Sequence, residues 1–199
     1  MRTSDEELMM RCRNGDMSAF ELLVMRYKDP ILNFVYRSIG DYHRAEDLAQ
    51  ETFIRVFKSA SRYEPKCQFK NFIYLIATNL CRNEIRNRNR RNTSFFEELA
   101  SEDGDMDYIL VMQDASPLPD ELYEKKEQQA AIQQTLNRLP ENQRLALTLV
   151  TYQHLRYDEI AEVLNCSVSA VKSLIHRARQ NMRKLLLEVG IGESSNAKV

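Results

Sequence analysis

Tyr157 to Leu186 reads YDEIAEVLNCSVSAVKSLIHRARQNMRKLL. Ile160 and Leu164 stand at helical spacing, followed by the polar turn NCS and a second helical period through Val168, Val171, Leu174 and Ile175. A helix-turn-helix needs this layout: a small residue in the first helix for close approach, a tight turn, and facing apolar sides. Ala161 is the small residue, Asn165 tolerates left-handed backbone geometry at the turn, and Ser167 is placed to cap the second helix. The opposite face carries Ser169, Lys172, Ser173, His176, Arg177 and Arg179. Side chains of these types donate to acceptors in the major groove, where arginine on guanine is the commonest specific contact. The plain alternative is a helical hairpin with a solvated basic face.

Upstream, Glu141 to Leu155 (ENQRLALTLVTYQHL) gives another helix, with Pro140 at its start. DELYEKKEQQAAIQQTLNRL, from Asp120, gives one more. The N-terminal half has the same character. Ser4 with Glu7, and Ser18 with Glu21, have capping-box spacing. Gly15 separates the two helices, and Pro30 is expected to bend or split the second. In the third helix, Ala45, Leu48, Ala49, Phe53, Val56 and Phe57 mark an inward side. Its other side bears Glu46, Asp47, Gln50, Glu51 and Arg55, an acid-rich face that repels phosphate and is either solvated or a protein-docking surface. The fourth helix, from Phe69, interleaves aromatics with amides and arginines: Phe69, Phe72, Tyr74, Asn79, Arg82, Asn83 and Arg86. Aromatics stack on unpaired bases and arginines hold phosphates, so the mixture suits single-stranded DNA; the competing reading puts the aromatics in the core.

The net charge of -1 conceals a segregated pattern. Arg86, Arg88, Arg90 and Arg91 lie in a stretch without acids, and Val163 to Leu187 also lacks them. Between these basic segments, Asn92 to Glu124 contains no basic residue. The acidic stretch has no sustained period, contains Gly104, Pro117 and Pro119, and reads as a linker with Phe95, Phe96, Tyr108, Ile109, Leu110 and Val111 as candidate docking points. The fold class expected is all-α: two small helical domains joined by an acidic flexible linker, the C-terminal one a helix-turn-helix. The boundaries are 1–92, 93–119 for the linker, and 120–190, with a frayed tail at 191–199.

Several classes of function fall away. Cys12, Cys67, Cys81 and Cys166 form no C-x-x-C pair, and His43, His154 and His176 are far apart in sequence, so neither a metal site nor a cofactor is expected. No glycine-rich phosphate loop or nucleophile–base arrangement marks an enzyme. No apolar run approaches the roughly 20 residues of a membrane span; stable membrane insertion is not expected, and the place expected for the chain is the cytoplasm.

Three stretches together resemble the extracytoplasmic-function group of bacterial RNA polymerase sigma factors: RAEDLAQETFIRVFKSASRY (44–63), FKNFIYLIATNLCRNEIRNRNRR (69–91), and the run from Leu136 to Leu186. The resemblance covers nearly the whole chain, in order. It implies a non-catalytic subunit that binds core RNA polymerase through the clamp helices and flap, recognises promoter DNA in double- and single-stranded form, and is controlled by an anti-sigma factor. Asp47, Leu48, Gln50, Glu51 and Phe53 match the clamp-docking stretch. Asn79, Arg82, Asn83 and Arg86, with Tyr63, Phe69 and Phe72 around the base-capturing loop, match the minus-ten reader. Ser167, Ser169, Lys172, Ser173, His176, Arg177 and Arg179 fall on the minus-thirty-five reader. Phe72 stands where the family often has Trp, and Asn83 where Asp is common. The acidic linker would thread toward the RNA path of the polymerase. The alternative is a helix-turn-helix repressor or activator that acts without being a polymerase subunit.

Overall fold

A computed structural model describes residues 3–65, 68–99 and 120–188. Among the described residues there are eight α-helices and no strand: α1 (Asp5–Arg13), α2 (Met17–Ile39), α3 (Tyr42–Ser59), α4 (Phe69–Leu99), α5 (Asp120–Asn137), α6 (Glu141–Tyr152), α7 (Tyr157–Leu164) and α8 (Val168–Glu188). A single 3-10 turn, Ala60–Arg62, follows α3. Helix α4 continues to Leu99, past the boundary expected at residue 92. Residues 100–119 of the expected linker, with Tyr108, Ile109, Leu110 and Val111, lie outside the described residues, as do the tail 191–199 and residues 66 and 67 of the loop before α4.

The caps explain where the helices begin. Ser4 and Glu7 form the expected reciprocal box, at 3.2 and 3.0 Å. Helix α2 is capped differently from the Ser18–Glu21 expectation. Asp16 Oδ1 accepts from the amides of Ser18 (3.0 Å) and Ala19 (3.2 Å), because a carboxylate two residues upstream satisfies two orphan donors at once. The hydrogen bonds from Ser18, Arg11 and Ala19 hold its carboxyl down at about 2. Pro30 does not split α2. Leu23, Tyr27, Ile31 and Phe34 are buried on either side of it, and that packing outweighs one missing backbone bond. Gly40 ends α2 at φ 77°, its amide donating to Tyr36 O at 2.7 Å. A Cβ there would meet the Asn137 side chain of α5 at 2.2 Å, so this glycine serves both the turn and a close approach.

The apolar faces converge on one continuous core. Leu8, Met9, Leu23, Ile31, Phe34, Phe69 and Ile73 from α1–α4 are contiguous with Leu145, Leu149, Ile160, Val163 and Leu164 from α6 and α7. Helix α7 lies along α4 and α6 lies against α2. A smaller cluster of Leu136, Leu139, Leu147 and Ala178 ties α5 and α6 to α8. Cys12 and Cys81 are buried and Cys166 is half-buried in this packing, while Cys67 lies outside the described residues. Among the described residues no helix is long and apolar enough to cross a membrane.

Candidate nucleic-acid interface

Three faces carry the residues singled out by sequence. The first is the outer side of α3. Asp47, Gln50, Ile54 and Phe57 are exposed and spaced three and four apart, so they form one stripe. Glu51 flanks it, paired with Arg55 at 2.7 Å, and Arg44 reaches Asp47 at 3.3 Å. Phe20 of α2 packs on Phe57 with ring centroids 5.1 Å apart, extending the apolar part of the face. Leu48 does not belong to it. It is buried in the core, as its periodicity required, and cannot present its side chain to a docking partner. Phe53 is half-buried beside the core, and Phe57, expected inward, turns partly outward. Sequence reading missed Ile54. The available signal was its place in the stripe that Asp47 and Gln50 begin.

The second face is on α4. Phe72, Ile76, Asn79, Asn83 and Arg86 again step by three and four, and the last three are exposed. Tyr63 and Phe69, expected to meet bases, are core residues instead. Tyr63 is 4% exposed and Phe69 fully buried. They form an aromatic cluster with Tyr27 (5.4 Å from Phe69) and Phe72 (5.6 Å from Tyr63). Rings packed on other rings cannot stack on a base. Half-buried Phe72, at the cluster's edge, is the one of the three with surface to offer. Glu6 Oε1 accepts the Phe69 amide at 2.9 Å, fixing the start of the helix.

The arginines of α4 divide. Arg86 is exposed. Arg88 is a staple: it donates to Ile39 O at 3.1 Å and pairs with Asp41 at 2.9 Å and Glu84 at 3.4 Å. Glu84 is itself buried and also holds Arg44 at 2.9 Å, a hydrogen bond that pushes the Arg44 pKa up. Arg82 is half-buried and points to the C-terminal helices, toward Glu141 (3.5 Å), Asn142 Oδ1 (3.3 Å) and Leu164 O (3.4 Å). Arg86→Ala is therefore expected to reduce the log–log salt slope of any DNA binding by about 0.7–0.9, the signature of removing one phosphate partner. Arg88→Ala should leave that slope unchanged and lower the melting temperature by about 2–4 °C, the shift that about 1 kcal/mol makes in a chain of this size. Salt titration and thermal melting of both variants check the division.

The third face is on α8. Asn165 adopts φ 52°, ψ 55° at the turn, and Ser167 Oγ accepts the Ala170 amide at 3.2 Å. The turn and the cap are thus built as the sequence required, whereas Val168, expected to pack inward, is exposed at the start of α8. Val171, Ile175 and Ala178 are buried, which turns Ser169, Lys172, Ser173, His176, Arg177 and Arg179 outward, and all six are exposed. Ser167 is exposed too, but its hydroxyl is occupied by the cap and by Ser169 Oγ at 2.9 Å. Gln180 and Arg183 extend the stripe of Ser169, Lys172 and His176 by two further steps and were not singled out by sequence. Among the described residues no group of His, Cys, Asp and Glu could hold a metal ion.

The α4 and α8 faces lie close together. Gln153, in the turn between α6 and α7, accepts Lys70 Nζ on its carbonyl at 2.9 Å and the Tyr74 hydroxyl on Oε1 at 2.5 Å. Asn71 Nδ2 donates to Glu162 at 2.7 Å, and Arg37 covers the Tyr152 ring at 3.7 Å. Ser169 on α8 stands only five positions after Leu164, whose carbonyl Arg82 reaches. At about 3.8 Å per residue, the start of the α8 face is within roughly 20 Å of that hydrogen bond.

Two family models match this chain: Sigma-70 region 2 over residues 23–91 and Sigma-70, region 4 over residues 129–182. The RNA polymerase sigma-H factor of Pseudomonas aeruginosa is 34% identical over 185 residues, which are 92% of this chain and 93% of that one. The ECF RNA polymerase sigma factor SigW of Bacillus subtilis is 35% identical over 177 residues, 89% of this chain and 94% of that one. Among solved structures, the fold is similar to the sigma factor RpoE in complex with the anti-sigma factor NepR from Bartonella quintana. The TM-score is 0.62 at 22% identity, over 84% of this chain and 96% of that one.

Proposed function

We propose, for a chain that belongs to the extracytoplasmic-function sigma factors, a division of labour among the three faces. The protein is an alternative sigma factor, with both sigma-70 regions in family order. The stripe Asp47, Gln50, Ile54 and Phe57 docks on core RNA polymerase, with Glu51 at its edge. Phe72, Asn79, Asn83 and Arg86 meet the minus-ten element, joined by Arg82 once it leaves Glu141. Ser169, Lys172, Ser173, His176, Arg177 and Arg179 read the minus-thirty-five element in the major groove. The unit 120–188 carries that last function and α1–α4 the first two. An anti-sigma factor is the partner that holds the protein off polymerase.

The observation that carries this reading is the pair of exposed polar stripes on α4 and α8, one in each matched region, beside the acidic and apolar stripe on α3. The elements they would read are centred roughly 25 base pairs apart, or about 85 Å at about 3.4 Å per pair. With the start of the α8 face within roughly 20 Å of the hydrogen bond from Arg82 to Leu164, this closed arrangement engages one element at a time. Opening of the seam between α4 and α6–α7 is the step that polymerase binding must accomplish.

Run-off transcription tests the reading. Purified protein added to core polymerase should start transcripts at a promoter that core alone ignores, while the protein alone binds that promoter weakly. Tight, site-specific binding by the isolated protein with no gain in transcription would favour the repressor reading.

A further inference from the structure

We infer that Arg144 is a built-in spring that keeps the closed arrangement weak enough to open. The inference deepens the closed-to-open reading above and rests on it for its consequence at polymerase, though not for its first measurement. Arg144 lies on α6 and is 7% exposed. Its guanidinium is always charged, yet it finds little to pair with. Nη1 reaches Asn137 Oδ1 at 3.3 Å, an acceptor already shared with Gln133 at 3.2 Å. Nε is buried with no hydrogen-bond partner among the described residues. Across the seam on α4 its charged neighbour is another cation, Arg88, and its titratable neighbour is Cys81. Burial pushes the Cys81 thiol up to about 12, so it offers no negative charge. The acid within reach, Glu141, is one turn back on α6 and faces Arg82 at 3.5 Å.

The seam around Gln153 is better matched: Gln153 accepts from Lys70 and Tyr74, and Glu162 accepts from Asn71 Nδ2. Arg37 stacks on Tyr152 but leaves its own buried Nε without a hydrogen-bond partner among the described residues, as Asn71 leaves its Oδ1. Closure therefore combines a satisfied latch around Gln153 with an under-satisfied buried cation at Arg144. Opening rehydrates Arg144, because α2 and α4, which pack on α6 in the closed arrangement, then leave it. A buried ion poorly compensated by its surroundings disfavours the state that buries it, and an apolar residue of similar volume removes that penalty. Arg144 thus opposes the latch, and the balance sets how readily the two units part.

The test uses the full chain, which has no tryptophan. Tyr152→Trp places one reporter in the seam under Arg37. Gln153→Ala leaves the Tyr74 hydroxyl without its acceptor and is expected to raise the open fraction at least fivefold, read as a red-shifted emission and a larger radius of gyration with unchanged far-UV circular dichroism. In that background Arg144→Met should return the open-to-closed ratio toward closed by about fivefold or more. Arg144→Leu is the second apolar variant should Met disturb folding. An unchanged ratio, or a shift toward open with both variants folded, overturns the inference. The apparent affinity for core polymerase should fall by the same factor as the open fraction. A shifted ratio with unchanged affinity would leave the spring standing and overturn the claim that polymerase needs the open form.

Discussion

Asp47→Ala combined with Ile54→Ala is expected to weaken binding to core RNA polymerase about 30-fold or more and to leave the fold intact. The two side chains sit two turns apart along the stripe, one charged and one apolar, both exposed. Residues at the centre of an interface each contribute about 1–2 kcal/mol or more when truncated to alanine, and the two effects multiply. Exposed substitutions away from the core change stability by about 0.5 kcal/mol or less, so melting should stay near that of the parent. Leu48→Ala makes the contrast. Its side chain is buried, and a cavity there costs about 2–5 kcal/mol of folding free energy. Titration of labelled polymerase with each folded variant, beside thermal melts, separates the two cases. Parental affinity in the Asp47, Ile54 double variant would remove the α3 stripe from the interface.

The contrast between Leu48 and Ile54 also shows where sequence is informative. Helical period reports which side of a helix is apolar, and it placed Leu48 inward correctly. The resemblance to the family assigns a stretch, and a stretch includes residues of both sides. Asn165 and Ser167 were legible because their tasks are local: a left-handed turn and a cap need partners within a few residues. Arg88 and Arg82 were not. Arg88 looks like a phosphate holder until Asp41, 47 residues earlier, is brought beside it. Arg82 looks like its neighbours on α4 until α6 and α7 close over its flank. Tyr63 and Phe69 failed for a related reason. An aromatic among polar residues is equally suited to a base or to other rings, and the choice is made by α2, which supplies Tyr27 to Phe69, and by Phe69 and Phe72, which take Tyr63. Asp16 was missed as a cap because Ser18 offered the expected spacing two residues later.

Lys172→Ala with Arg177→Ala is expected to abolish recognition of the minus-thirty-five element while sparing polymerase binding. The two positions flank His176 and Ser173 on the outward side of α8, opposite buried Val171, Ile175 and Ala178. Both are exposed, in contrast to half-buried Arg88 with its ion pairs, so the folded state should tolerate both changes. Removing a side chain that reads a base costs about 1–3 kcal/mol, or roughly 5- to 150-fold, and relaxes specificity at its own base pair. Together the two substitutions should approach the whole discrimination between cognate and scrambled upstream elements. A phosphate holder behaves otherwise: its removal weakens binding evenly across sequences and lowers the salt slope. Transcription from promoters changed one base pair at a time through the upstream element therefore assigns each residue. A flat decrease at every position makes Lys172 or Arg177 a phosphate holder. A decrease confined to one or two positions makes it a reader. Full parental discrimination in the double variant would place the reading face elsewhere, with Gln180 and Arg183, further along the same stripe, the next residues to change.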